Sequence, residues 1–219
     1  LQQDFPNHLD LIIKRVTEKI QTAPSFKDKQ ILTDINRKIT LNKKSINEQF
    51  IYHLKSNLNF LIISNSGKFS LVEIKLTESK EFNIVEESKK NLESSIAKVL
   101  GDRLSSVLRA TNYLLGKEQD IFRPQLLTET LHKTFKDIFT NIYNINLILN
   151  IFEETWPEHL IPYYDYINEF LSKNNVFEQI ENTMSREQPK VDTSIVPDFN
   201  SFLEKIEPFY DTEELENQE

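Results

Sequence analysis

The sequence has no cysteine and very little glycine, and both shortages restrict what the protein can be. Without cysteine, the chain has no disulfide, no thiolate nucleophile, and no cysteine ligand for zinc or an iron–sulfur cluster. Only three of the 219 residues are glycine, whereas an average chain of this length has about fifteen. Phosphate-binding loops, Rossmann turns and β-barrels need glycine where the backbone turns left-handed or approaches a ligand. The composition therefore predicts a mainly helical protein and argues against these enzyme folds.

Long apolar runs are missing as well. A membrane-spanning helix needs about eighteen or more consecutive apolar residues. The most apolar window, residues 138–152, is interrupted by five polar side chains: Thr140, Asn141, Asn144, Asn146 and Asn150. Residues 1–10 show no basic segment followed by an apolar stretch, so no signal peptide is predicted. We expect a chain without a membrane span, and the lack of cysteine favours a reducing, cytoplasmic location.

Negative charge is concentrated at the C-terminal end. The whole chain has a formal net charge of −8, and residues 198–219 have eight acidic side chains against Lys205 as the single base. The rest of the chain is therefore close to neutral. A nucleic-acid-binding protein usually has a basic stripe, and the nearest candidate, Lys38 with Lys43 and Lys44, is too short. The charge pattern does not favour a nucleic acid as the partner.

The acidic end also contains apolar residues at helical spacing. Asp198 is available as the N-cap of a short helix, and Pro208 would disturb its last turn. A solvated acidic end has no need for an apolar stripe, so we expect residues 198–210 to dock, either on the body of the chain or on a partner. The candidate docking residues are Phe199, Phe202, Leu203, Ile206, Phe209 and Tyr210.

Residues 1–184 show the apolar periodicity of helices almost throughout. The periodic stretches are 9–20, 31–39, 46–54, 92–115, 127–152, 160–171 and 176–180. The stretch 92–115 predicts one long helix, and 127–152 fits one long helix or two with a kink. Residues 185–197 contain two prolines and no period, which is typical of a linker. The predicted organisation is a helical domain at 1–184, a linker at 185–197 and an acidic segment at 198–219.

One part of this domain has the pattern of strands. Residues 60–64 and 68–74 are rich in apolar and β-branched residues and flank a turn that contains Gly67, which predicts a β-hairpin at about 60–76. The predicted fold is therefore mainly α, a multi-helix bundle with one β-hairpin.

The hairpin leaves two alternative functions open. Glu73 and Lys75 have the spacing of a PD-(D/E)xK nuclease core, in which two carboxylates hold Mg²⁺ and the lysine steadies the attacked phosphate or water. Asn59 stands where such a core has aspartate, so this nuclease would be degenerate. Three short helices followed by a hairpin over residues 8–76 are also the order of a winged helix. Its third helix has few basic residues, so it would dock proteins rather than read DNA.

Other candidate sites have simpler explanations. The four histidines, His8, His53, His132 and His159, are far apart in sequence, and we expect them at surface or boundary positions. No metal site and no cofactor is predicted. An aromatic cluster could form a ligand cage, but its helical spacing favours a place in the core. Its members are Trp156, Tyr163, Tyr164, Tyr166 and Phe170.

A series of landmarks runs from residue 71 to residue 177. A Leu-Val-Glu segment precedes a long helix, Pro124 opens a helix with spaced Leu127 and Phe135, and a Phe-Glu pair follows at 152–153. The last helix of the series carries Leu160, Tyr164, Asn168 and Leu171. This order resembles a large helical family of unknown function that occurs in long, multidomain cytoplasmic proteins of proteobacteria. The family usually has Asn-Pro where this chain has Arg123-Pro124.

The resemblance implies a helical regulatory or scaffold domain and supplies no catalytic residues. Together with the low glycine content and the near-neutral body, it leads to one expected function. We expect a non-enzymatic protein-interaction, regulatory or scaffold domain whose partners are proteins and whose acidic aromatic tail is a docking element.

Overall fold

The computed structural model describes residues 4–64, 80–115 and 122–185, and these ranges contain nine helices and no strand. In chain order the helices are α1 (Phe5–Gln21), α2 (Phe26–Leu41), α3 (Lys43–Ser64), α4 (Lys80–Leu100), α5 (Asp102–Leu115), α6 (Pro124–Ile138), α7 (Ile142–His159), α8 (Ile161–Lys173) and α9 (Val176–Ser185). The mainly helical class that the low glycine content predicts is confirmed. The predicted linker and acidic segment lie almost entirely outside the described residues.

The predicted β-hairpin is wrong where it can be checked. Residues 60–64, its first strand, form the end of α3, and Asn59 lies in the same helix. A short apolar run is compatible with a strand or with a buried helix, and no glycine or proline separates this run from the helical pattern that begins at Ile46. Helix α3 therefore continues through the run. The remainder of the predicted hairpin lies outside the described residues.

The single long helix predicted over residues 92–115 is two helices. Gly101 separates α4 from α5 and has a φ of +48°, a left-handed conformation that costs glycine little and other residues more. The apolar period continues across this break, because Leu100 and Leu104 on either side are both buried. Periodicity alone therefore conceals the turn.

The stretch 127–152 forms two helices, which is one of the two predicted arrangements. Helix α6 ends at Ile138, its C-cap residue Phe139 has an extended backbone, and α7 begins after Asn141. The regularly spaced apolar residues of this stretch nevertheless lie in the core, since Phe135 and Phe152 are both fully buried. Helix α7 also runs past Trp156 to His159, beyond its expected end, and Pro157 lies inside its last turn.

The core is organised around α4, α6 and α7. Helix α4 packs along α7 and also contacts α6, while α1 and α3 pack on the other sides of α7 and α6. Aromatic rings fill the centre: Phe5 stacks on Phe50 with ring centroids 3.9 Å apart, and Phe152 meets Trp156 edge to face at 5.4 Å. Helices α5, α8 and α9 pack against one another.

Candidate functional site

An open groove lies where the end of α1, the α1–α2 connection, the start of α2 and the start of α7 meet. Its volume is about 410 Å³. Ile31, Leu32 and Leu147 supply an apolar lining, and Tyr143 and Pro24 also border it. Mostly apolar concave surfaces of this size are the usual form of binding sites. We take this groove as the candidate functional site.

Two helix N-termini meet at the groove, and side chains cap both. The Ser25 hydroxyl accepts a hydrogen bond from the Asp28 amide at 3.0 Å and donates one to the Asp28 carboxylate at 2.6 Å. Asn141 caps α7 by accepting from the Tyr143 amide at 2.9 Å. The N-terminus of a helix carries the positive end of its dipole. Both ends therefore favour negative charge near the groove.

Ionic contacts hold α1 against α7 beside the groove. The Glu154 carboxylate accepts from Arg15 Nε at 2.9 Å and from Lys19 Nζ at 2.7 Å. Partial burial would raise the pKa of Glu154, but the hydrogen bonds from the two cations outweigh it, and the pKa is lowered. These groups are partly exposed, and such pairs typically contribute well under about 1 kcal/mol. Their effect is to set the position of α1 rather than to stabilise the fold strongly.

The surroundings of the groove are aromatic and basic. Tyr143 is 53% exposed, and Phe26, the first residue of α2, is 75% exposed. The neighbouring Lys27 and Lys29 are also exposed, and neither forms an ion pair within the described ranges. A groove with an apolar lining and unpaired cations nearby suits a segment that combines apolar with acidic side chains.

Polar groups inside the bundle are used in contacts between helices. Lys89 on α4 is 4% exposed, and its Nζ contacts Glu86 at 2.8 Å and also Glu129 of α6. Burial would lower the pKa of Lys89, but hydrogen bonds to the two carboxylates raise it. The ammonium therefore joins α4 to α6 through an ion pair with Glu129.

A second interior contact joins α4 to α7. The Ser88 hydroxyl lies 2.5 Å from the side-chain oxygen of Asn146 and 2.7 Å from that of Asn150. Asn146 also borders the groove. Asn146 and Asn150 therefore have a structural use in α7, since the single proton of the buried Ser88 hydroxyl is donated to one of these two side chains.

The histidines depart from expectation at one position. His8 is 4% exposed, so its predicted surface or boundary place is wrong. Its ring lies 5.0 Å from that of His159, while Nε2 of His53 lies 2.8 Å from an Asp137 carboxylate oxygen. Burial and the nearby Lys89 lower the pKa of His132. In the described ranges, no three His, Asp or Glu side chains are grouped to hold a metal ion.

The aromatic cluster, for which a place in the core is predicted and a ligand cage is the alternative, does not gather its members around one site. Trp156 packs against Phe5, Phe50 and Phe152. The Tyr164 hydroxyl donates to the Phe122 carbonyl at 2.7 Å. Tyr163 instead donates to Asp4, and Tyr166 is 58% exposed. The predicted place in the core is confirmed for Trp156 and Tyr164.

The other predicted site residues fall in different places. Asn59 lies in α3, a helix rather than a nuclease strand. Glu73 and Lys75 lie outside the described residues, as do the candidate docking residues of the tail: Phe199, Phe202, Leu203, Ile206, Phe209 and Tyr210. The winged-helix interpretation has its three helices in the predicted order, but the segment assigned to the start of its wing is helical.

Sequence reasoning missed the groove itself. Tyr143 falls between residues of the α7 seam, and Phe26 precedes the periodic stretch of α2. An aromatic residue outside an apolar seam is a weak signal of surface function, because scattered exposed aromatics are common. The groove depends on two segments more than a hundred residues apart, and no local pattern joins them.

Comparison of the chain with family models, with curated proteins and with solved structures finds no match. The resemblance to the helical proteobacterial family therefore stays a prediction. Among the helices that the structure describes, none combines the length and the apolar content needed to cross a membrane.

Proposed function

We propose that this chain is a non-enzymatic protein-interaction domain with a regulatory or scaffold role, whose partners are proteins. In this proposal the helical body is a rigid platform, and residues 198–210 are a docking element. The resemblance to a helical family of long cytoplasmic proteins is consistent with such a role and belongs to the same proposal.

The groove between α1, α2 and α7 is the observation that supports this proposal most. It places the exposed Tyr143 beside an apolar lining that includes Ile31 and Leu147. Aromatic residues next to apolar surface are enriched where proteins bind other proteins. Lys27 and Lys29, which flank the lining residue Asp28 in sequence and have no ion pair within the described ranges, supply charge that can select a partner.

The interior supports a platform rather than a catalytic centre. Lys89 is paired with two carboxylates, and Ser88 lies between two asparagine oxygens. Fully partnered polar groups between helices rigidify a bundle and specify its packing. A rigid surface loses little conformational freedom on binding.

The nuclease and winged-helix alternatives gain no support. Both need a strand at residues 60–64, where α3 is helical. Glu73 and Lys75, the residues of the nuclease motif, lie outside the described ranges. We therefore do not propose either function.

The test is a pull-down from nuclease-treated lysate, read by quantitative mass spectrometry. The whole chain is compared with a chain that ends at Ser185 and with an unrelated helical protein of similar acidity. We expect the whole chain to enrich specific proteins and the truncated chain to lose some of them. If the whole chain enriches nothing beyond the unrelated protein, the proposal is wrong.

Two tail variants separate apolar docking from acidity. Phe202→Ser with Ile206→Ser removes part of the apolar stripe and keeps the charge. Glu213→Gln with Glu214→Gln removes charge outside the stripe and is the matched control. Loss of partners only with the first variant assigns docking to the stripe, whereas loss only with the second would assign it to unspecific charge attraction.

A further inference from the structure

We propose that the groove between α1, α2 and α7 binds residues 198–210 of the same chain. This inference deepens the proposed function and relies on it in one respect, that residues 198–210 are a docking element. The occupant is thus an acidic aromatic segment of this chain, and the contact is intramolecular. Three properties of the described residues support binding of this segment to the groove: the apolar lining, the local charge and the position at which α9 ends.

The apolar lining matches the stripe of the tail. Ile31 and Leu147 are only partly buried, although both belong to packed helices, and Leu32 beneath them is nearly buried. Exposed Tyr143 adds an aromatic face to the same groove. The helical spacing of Phe199, Phe202 and Ile206 predicts that these side chains share one face. Binding that face to the groove would remove apolar surface of both partners from water.

The local charge favours this occupant over a neutral apolar peptide. The body as a whole is close to neutral, yet two exposed lysines, Lys27 and Lys29, flank the lining residue Asp28 in sequence and form no ion pair within the described ranges. The capped N-termini of α2 and α7 add positive dipole ends. Asp28 is the carboxylate at the groove, and it is already engaged with Ser25. Residues 198–219, with eight acids against one lysine, are the most acidic part of this chain.

The chain between α9 and the docking segment sets how far that segment can reach. Helix α9 ends at Ser185, and residues 186–197 then precede the docking segment. Twelve extended residues span up to about 40 Å. A compact domain of this size has a radius of gyration of about 16 Å, hence a diameter of roughly 40 Å. Because the linker must run over the surface, the segment reaches the groove when Ser185 lies within about 40 Å of it along that surface.

The absence of cysteine makes a direct test simple, because one introduced thiol is the only one in the chain. A nitroxide spin label is attached to the full-length Glu204→Cys variant, a position that the helical spacing places opposite the apolar stripe. Paramagnetic broadening is then measured on the backbone amides of Thr22, Ile31 and Leu147. We expect these signals to lose intensity selectively, and the loss to disappear when the label is reduced.

Matched variants locate the contact. Tyr143→Glu should abolish the selective broadening, and Tyr166→Glu, a change at a similarly exposed tyrosine on α8, should leave it intact. Both tyrosines are exposed, so neither change is expected to unfold the bundle. Far-ultraviolet circular dichroism verifies that each variant is folded.

A mixing experiment tests whether the occupant is the same chain. Spin-labelled protein without isotopes is added to isotope-labelled protein without the nitroxide. Broadening in this mixture would mean that a second copy fills the groove, and it would overturn the proposal. No broadening in the mixture is the result expected of an intramolecular contact. When the same chain carries both the nitroxide and the isotopes, broadening that is absent or confined to another surface would overturn the proposal as well.

The result is independent of the lysate experiment, because the purified chain has no partner present. Specific partners without groove broadening would leave the proposed function standing and reject the intramolecular contact. Groove broadening without specific partners would support the intramolecular contact and reject the proposed function.

Discussion

The imidazole of His8 and the hydroxyl of Thr155 form a buried contact, with Nε2 3.3 Å from Oγ1. Thr155 donates its own proton to the Ile151 carbonyl at 2.9 Å, so His8 must donate from Nε2. Nδ1 of His8 is then an unprotonated acceptor, and it is buried without a partner among the described residues. The site therefore accommodates a neutral imidazole and provides no hydrogen-bond acceptor for a protonated Nδ1.

We predict that His8 makes the fold sensitive to acid. Burial, followed by the proximity of His159, lowers the pKa of His8 from 6.5 to about 3. Below about pH 6.5 the imidazole of His8 is protonated in the unfolded chain but stays neutral in the folded chain. The stability that depends on neutral His8 is therefore complete above pH 6.5 and declines between about pH 6.5 and pH 3. At about 1.36 kcal/mol per pH unit, the loss reaches roughly 2 kcal/mol at pH 5. Urea unfolding at several pH values measures it.

The matched variants for this prediction are His8→Leu and His159→Asn. The first removes the buried titrating group and should flatten the pH dependence between neutral pH and pH 5. The second keeps the buried imidazole of His8 and should retain most of the slope. Equal slopes in wild type and His8→Leu would contradict the prediction.

The Lys89 contacts predict an asymmetric response to substitution. Glu129→Ala leaves a buried ammonium with Glu86 as its remaining carboxylate, and we expect the free energy of unfolding to fall by about 2 kcal/mol. Lys89→Met should cost less, because the side chains of Glu86 and Glu129 are 32% and 36% exposed and can be hydrated. A double-mutant cycle by urea denaturation measures the coupling. A larger loss for Lys89→Met would show that the desolvation argument is wrong.

The break at Gly101 predicts a cost that comes from the backbone. A Cβ at Gly101 would meet only the Lys98 carbonyl oxygen, at 3.9 Å, so Gly101→Ala causes no clash. Its positive φ should nevertheless reduce stability by about 1 kcal/mol. Gly101→Asn should cost less, since asparagine tolerates the left-handed region better. Thermal unfolding of both variants tests this ranking, and equal stability of wild type and Gly101→Ala would contradict the assigned conformation.

The stacked rings of Phe5 and Phe50 predict that the N-terminal end of α1 matters for stability. Both rings are fully buried, and their planes differ by only 10°. Phe5→Ala should destabilise the protein by about 3 kcal/mol through lost burial and a cavity, and Phe5→Leu by clearly less. Chemical denaturation measures the difference. A change below about 0.5 kcal/mol for Phe5→Ala would mean that this end of α1 does not pack in solution.

Much of the fold could be predicted from local pattern, and the errors have identifiable causes. The stripes that contain Ile12 and Ile35 predict amphipathic helices, because burial of one face is what a 3.6-residue period requires. The assignment of Phe60–Ser64 failed because a short apolar run satisfies a strand and a buried helix equally well. The turn at Gly101 was missed because the apolar period continues through it.

Composition and apolar period were enough to predict the helical class, the apolar faces of the helices and the separation of an acidic end from a near-neutral body. These properties depend on a few neighbouring residues. The burial of His8 beside Thr155 and the groove that Tyr143 borders with Ile31 depend instead on how the helices pack. Those relationships join residues more than a hundred positions apart, and only the packing of whole helices brings them together.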